Sequence, residues 1–109
     1  MSEIYKIKWT KTARDDLDEI TDFIALDSIK TAIKIYNKLI KETESLSKFP
    51  ARGRIVPELR EFGFNLYREI IVKPYRIFYK IENKSMVIIL GILDGRRDLL
   101  EVLLQRILF

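Results

Sequence analysis

The chain of 109 residues contains no cysteine and no histidine. The first absence excludes disulfides and thiolate metal centres, and it suits a reducing compartment. The second removes the side chain that most often moves protons near neutral pH, so any acid or base must be a carboxylate, a lysine or a tyrosine. Glycine is scarce as well: the four residues, at 53, 63, 91 and 95, have no spacing that cradles a nucleotide phosphate. No apolar run approaches the roughly 18 residues of a membrane-spanning helix. The start Met1-Ser2-Glu3-Ile4-Tyr5-Lys6 lacks the apolar core of a secretion signal. The expectation is one soluble, cytoplasmic domain over residues 1–109, without a membrane partner.

What is abundant is basic charge in one place. Twenty Lys and Arg against sixteen Asp and Glu give a net charge of +4. Residues 50–80 hold seven basic side chains (52, 54, 60, 68, 73, 76 and 80) against three acidic ones (58, 61 and 69), so this band carries the whole excess. Such a band points to a polyanion or an acidic protein partner, with plain solubility as the alternative.

The hydropathy pattern gives the order of elements. Ile4 to Trp9 alternates, with Tyr5, Ile7 and Trp9 on one face, as a half-buried strand does. Thr10 stands at an N-cap position before Ala13, Leu17, Ile20 and Ile24, the stripe of an amphipathic helix. Asp27 or Ser28 offers the next cap, and Ile29, Ala32, Ile33, Tyr36, Leu39, Ile40 and Leu46 form a second stripe that ends before Phe49-Pro50. Two helices joined so closely make a hairpin. Residues 50–63 carry the breakers of a loop, with a short turn at Pro57-Glu58-Leu59-Arg60.

Strand signals follow at 66–72, 75–81 and 86–93, separated by Lys73-Pro74 and Glu82-Asn83-Lys84-Ser85, which predicts an antiparallel meander. The last of these strands is nearly all apolar, as an interior strand covered on both faces would be. Residues 98–108 repeat with helical period and are rich in leucine. The expected fold is therefore α+β: an N-terminal strand, a helical hairpin, a three-stranded meander completing a four-stranded sheet, and a C-terminal helix. The first strand should join at an edge or by a crossover. Trp9, Leu17, Ile20, Tyr36, Leu39, Ile77, Tyr79 and Ile89 are the expected core.

The chemistry gathers on arginines. Leu66-Tyr67-Arg68-Glu69, Tyr75-Arg76-Ile77-Phe78-Tyr79 and Leu93-Asp94-Gly95-Arg96-Arg97-Asp98 are apolar segments that each carry guanidinium groups. On neighbouring strands, Arg68, Arg76, Arg96 and Arg97 would share one surface and, with Arg54, provide an anion or target site. The competing structural reading pairs these arginines with Glu58 or Glu69. Arginine stays protonated and cannot act as a base. Asp15, Asp16, Asp18, Glu19 and Asp22 read as a solvated helix face rather than a metal site, and no cofactor is expected.

The order of elements, together with Trp9-Thr10, Ala13, Asp16-Leu17, Ile20, Leu46, Phe49-Pro50, Gly53-Arg54, Pro57-Glu58-Leu59, Arg68-Glu69, the 75–79 segment and Gly95-Arg96-Arg97-Asp98, resembles the RelE/ParE superfamily of bacterial type II toxins. The resemblance covers essentially the whole chain. It implies a small basic toxin neutralised by a cognate antitoxin in a hetero-oligomer. It also implies one of two targets: mRNA on the ribosome, cleaved by RelE-like members, or DNA gyrase, bound by ParE-like members.

If the chain is a RelE-like nuclease, Glu69, Arg68, Arg76 and Arg96 are the candidate catalytic set: the resemblance matches Arg76 to the family's sheet arginine and Arg96 or Arg97 to the basic residue after the last strand, while Glu69 is the best base among the carboxylates, lysines and tyrosines on offer. The family's C-terminal aromatic position falls near Val102 or Leu103, neither of which transfers a proton. The 94–100 run followed by an apolar helix is similar to the ParE ending, so the gyrase branch is favoured, with Leu99, Leu100, Leu103, Leu104 and Ile107 as partner-binding residues. A degenerate module kept as an autorepressor partner is a third possibility.

Overall fold

The computed structural model describes residues 4–96 and 98–108. In chain order it has β1 (Lys6–Trp9), α1 (Lys11–Ala25), α2 (Ile29–Glu44), two short 3-10 turns (Ser45–Ser47 and Pro50–Arg52), β2 (Arg54–Ile55), α3 (Pro57–Arg60), β3 (Tyr67–Val72), β4 (Tyr75–Glu82), β5 (Met86–Asp94) and α4 (Leu100–Leu108). The strands form one sheet in the order β1-β5-β4-β3-β2. The four-stranded expectation is corrected by β2, which pairs antiparallel with β3 through Arg54 opposite Glu69 and Ile55 opposite Arg68. Strand β1 joins at the edge, parallel to β5, so the hairpin is the crossover.

Both helix caps form as the sequence suggests. The Thr10 hydroxyl accepts the Ala13 N–H at 3.0 Å, and the Ser28 hydroxyl accepts the Thr31 N–H at 3.2 Å, each satisfying a donor that the first helical turn leaves free. The meander closes through Lys73-Pro74 and through a turn in which Asn83 and Lys84 adopt positive φ. Strand β5 is interior, buried on both faces over most of its length.

The hairpin covers one face of the sheet. Ala13, Leu17, Leu39, Leu46, Ile77, Tyr79, Val87 and Ile89 form the core there, with Trp9 and Ile20 half-buried against it. Tyr36 departs from expectation: it is 41% exposed, with Ile29 and Ile33 more exposed still. The apolar residues of α2 make two strips roughly 70° apart around the helix. The strip with Ala32 and Leu39 is buried, whereas of the other only Ile40 packs against the core and Ile29, Ile33 and Tyr36 face outward.

Tyr79 illustrates how a buried polar tip is satisfied. Its hydroxyl donates to Pro50 O at 2.7 Å and accepts the Gly53 N–H at 2.9 Å, tying the 50–53 turn to the sheet. A Cβ at position 53 would lie 2.5 Å from that hydroxyl and 2.6 Å from Glu69 O, so the close approach requires glycine.

The opposite face is covered by α3 and α4: Leu59 of α3, Leu103 of α4 and Leu99, immediately before α4, pack with Val56, Phe78 and Leu93.

Candidate functional site

On that second face a chain of charges is buried. Glu69 on β3 has no side-chain exposure, and each of its oxygens is taken. Arg76 Nε donates to Oε1 at 2.6 Å, and Arg54 Nε donates to Oε2 at 2.6 Å. The far edge of Arg76 forks onto Glu58 of α3, Nη1 to Oε2 at 2.6 Å and Nη2 to Oε1 at 2.7 Å. Its Cζ lies 5.3 Å from the Phe78 ring centroid. Hydrogen bonding from Arg76 holds the Glu58 carboxyl below its ordinary range, against the opposing effect of partial burial. In return, chiefly through Glu58, the Arg76 guanidinium is held still more firmly protonated. Gly95 makes room for the arginine stem, since a Cβ there would come 2.9 Å from Arg76 Cδ.

The arginines expected on one surface are divided between two. Arg54, Arg76 and Arg96 line a shallow depression of about 420 Å³ with Ile71, Lys73 and Pro74. Arg68 lies on the other face: it pairs with Tyr79, whereas Arg76 pairs with Ile71, and positions an odd number apart on a strand point to opposite sides. Arg68 Nη1 donates to Gly53 O at 2.7 Å, bracing the same turn as Tyr79. Arg76 is fully engaged and only 9% exposed, so the cations nearest solvent in the depression are Arg54, Lys73 and Arg96. Arg96 binds Asp94 through Nε at 3.0 Å and Nη2 at 2.6 Å, and this carboxylate holds its guanidinium protonated to still higher pH. Arg97 lies outside the described residues. Lys73 is a site residue the sequence reading passed over, although it belongs to the basic band.

The C-terminal helix also divides its leucines. Leu99 and Leu103, expected to bind a partner, are buried against the chain's own sheet. Leu100 and Leu104 line an outward groove with Leu108, while Ile107 faces a groove of about 550 Å³ between α4 and the sheet, lined also by Tyr67, Lys80, Leu90 and Val102. Asp16, expected in a solvated acidic face, is 8% exposed and paired with Arg106. The signal was available: Asp16 follows Ala13 by three residues and precedes Ile20 by four, on the buried stripe. Among the described residues no group of three or more acidic side chains is placed to hold a metal, and no helix is long and apolar enough to cross a membrane.

The sheet order and its two helical covers define the α+β architecture of the RelE/ParE-like toxins. The chromosomal ParDE toxin–antitoxin system from P. aeruginosa contains a chain of this fold, matched with a TM-score of 0.69 and 21% identity over 84% of this chain and 96% of that one. The RelBE2 toxin–antitoxin complex from Mycobacterium tuberculosis contains another, with a TM-score of 0.63 and 23% identity over 86% and 94%. No curated protein sequence matches. Residues 7–99 match the model of the ParE toxin of the type II toxin–antitoxin system, parDE, and the chain belongs to that family.

Proposed function

We propose that this toxin arrests growth in the cytoplasm by binding and inhibiting DNA gyrase, and that a cognate antitoxin neutralises it in a hetero-oligomer. The observation that carries the choice of target is the state of Glu69. It was the best candidate base for an mRNA-cleaving site, yet its side chain is wholly buried and both oxygens are occupied by guanidinium groups. A base must come within hydrogen-bond reach of the proton it takes. The chain has no histidine to substitute, and Val102 and Leu103 stand where the nuclease pattern places its aromatic residue. An inhibitor that works by docking needs only a complementary surface. Arg54, Lys73 and Arg96 supply its cations, and Leu100 and Leu104 its apolar contacts.

Induction of the toxin in cells, followed by measurement of plasmid supercoiling and mapping of ribosome-bound transcripts, tests the reading. Loss of supercoiling with intact transcripts is expected, with relief on coexpression of the antitoxin. Leu100→Glu with Leu104→Glu, two changes on the outward groove of α4 that leave the buried Leu99 and Leu103 in place, should abolish arrest while circular dichroism shows the chain still folded. Cleaved transcripts with normal supercoiling would establish the nuclease reading instead.

A further inference from the structure

Strand β1 accompanies β5 only to Trp9, opposite Ile89, and the Thr10 N–H ends that ladder on Ile89 O at 3.1 Å. Immediately beyond, β5 bulges. Phe78 is opposite Gly91 and Tyr79 opposite Ile89, so Leu90 is the extra residue. The outer edge of β5 has therefore lost its strand partner at Ile92. A carboxylate replaces it: Asp16 Oδ2, from α1, accepts the Ile92 N–H at 3.0 Å.

The same carboxylate binds α4. Arg106 Nη1 donates to Asp16 Oδ2 at 2.6 Å and Nη2 to Oδ1 at 2.9 Å, while Nη1 also reaches Leu90 O at 3.4 Å. Gly91 is the notch that admits the guanidinium. A Cβ there would lie 3.1 Å from Asp16 Oδ2 and closer still to Arg106 Nη1. One carboxylate thus joins helix, strand and helix from three distant parts of the sequence.

The location matters because α4 is otherwise held toward its beginning. Leu99 and Leu103 are its buried apolar contacts, and Leu104 and Ile107 are only half-buried. A helix pinned by one apolar patch can still roll or fray at its far end; a two-pronged ion pair in the last turn fixes its rotation. Buried ion pairs contribute geometry more reliably than stability.

We infer that Asp16 and Arg106 are positioning residues that lock the rotation of α4, so that Leu100, Leu104 and Leu108 project as one ridge toward the target. The ridge's role rests on the gyrase reading, whereas the lock is a property of the free chain.

The experiment uses the full chain and two readouts. Asp16→Asn keeps an acceptor for the Ile92 N–H but removes the charge; Arg106→Lys keeps the charge but not the fork; Arg106→Gln keeps neither. By hydrogen exchange on the free protein, amides of residues 100–108 should lose protection by about 100-fold in Asp16→Asn and Arg106→Gln, less in Arg106→Lys, while α2 amides stay within about twofold. Inhibition of supercoiling by purified gyrase should weaken in the same rank order. Should Asp16→Asn prove too unstable to purify, the two Arg106 variants give the same ordering from the solvent side.

Unchanged exchange in α4 overturns the lock, and equal loss of protection in α4 and α2 shows a merely structural pair. A loosened α4 with undiminished inhibition overturns the positioning role. A parent protein inert toward gyrase overturns the target reading alone, leaving the exchange result to judge the lock.

Discussion

Under the hairpin, Leu17, Leu39, Ile77, Val87 and Ile89 meet with no charge among them, whereas the opposite face of the same sheet buries Glu69 and Arg76 beside Phe78, Leu93 and Leu103. The first face is held by area removed from water, which is non-directional and forgiving of where each methyl sits. The second depends on geometry: α3 is tied down because one guanidinium reaches two carboxylates at once. Every buried side-chain polar atom among the described residues has a partner, so removing any one member leaves another exposed to a low dielectric without compensation. One face should therefore fail by degrees and the other by single deletions.

Glu69→Gln should give the largest effect, about 4 kcal/mol measured by urea unfolding, because it removes the wholly buried charge from the clasp and sets an amide NH2 against a guanidinium donor. Combining Glu69→Leu and Arg76→Met with Glu58→Gln, so that no carboxylate is left without its guanidinium, should recover most of that loss, since apolar residues of similar volume often replace a buried ion pair without penalty. A Glu69→Gln cost below about 1 kcal/mol would erase the contrast between the faces. Leu39→Ala, at a fully buried position under the hairpin, should cost about 3 kcal/mol. No change elsewhere on that face should restore it short of filling the cavity.

Tyr79→Phe leaves the Gly53 N–H and Pro50 O unpaired at the edge of the apolar face, and about 1 to 2 kcal/mol should be lost in the same assay. The smallest effect concerns Glu58. Its folded carboxyl is more acidic than the unfolded one, so its contribution is complete above the ordinary carboxylate value of about 4.3. It is lost as pH falls through the lower folded value, where the unfolded chain binds the proton first. In Glu58→Gln the acid limb of a stability-against-pH curve should be shallower than in the parent, with no difference in slope between pH 6 and 8. An unchanged acid limb would remove Glu58 from the ionic clasp.

The elements legible in the sequence were those with enough residues to show a period. Both hairpin helices, the cap at Thr10 and the three long strands occur where the pattern put them, and of Asp27 and Ser28 it is Ser28 that caps α2. Strand β2 has two residues, Arg54 and Ile55, and two residues display no alternation. The placing of Tyr36 failed because a helical stripe tells which residues are apolar, not how wide a strip the neighbouring sheet covers.

At the candidate site, the sequence brought Arg76 beside Glu58 and Glu69 as one of its two readings, and the strand parity that sends Arg68 to the other face depended on a register it does not contain. The stripe signalled the burial of Asp16, but its pairing with Arg106 was beyond reach for a different reason. They are partners across 90 positions, and only the bulge at Leu90 and the notch at Gly91 bring them together.

The parallel pairing of β1 with β5 also governs when the toxin can exist. Lys6 is opposite Met86, a separation of 80 positions, so β1 has no strand partner until β5 has emerged from the ribosome. Contacts this distant close a long loop before they return any stabilisation, and chains dominated by them fold slowly. The hairpin can form early, but the finished sheet and the α4 that packs upon it can assemble only after β5 and α4 have left the ribosome. A nascent or prematurely terminated chain therefore carries the sequence of a toxin without its surface, and its first strand waits exposed for a partner still to be translated.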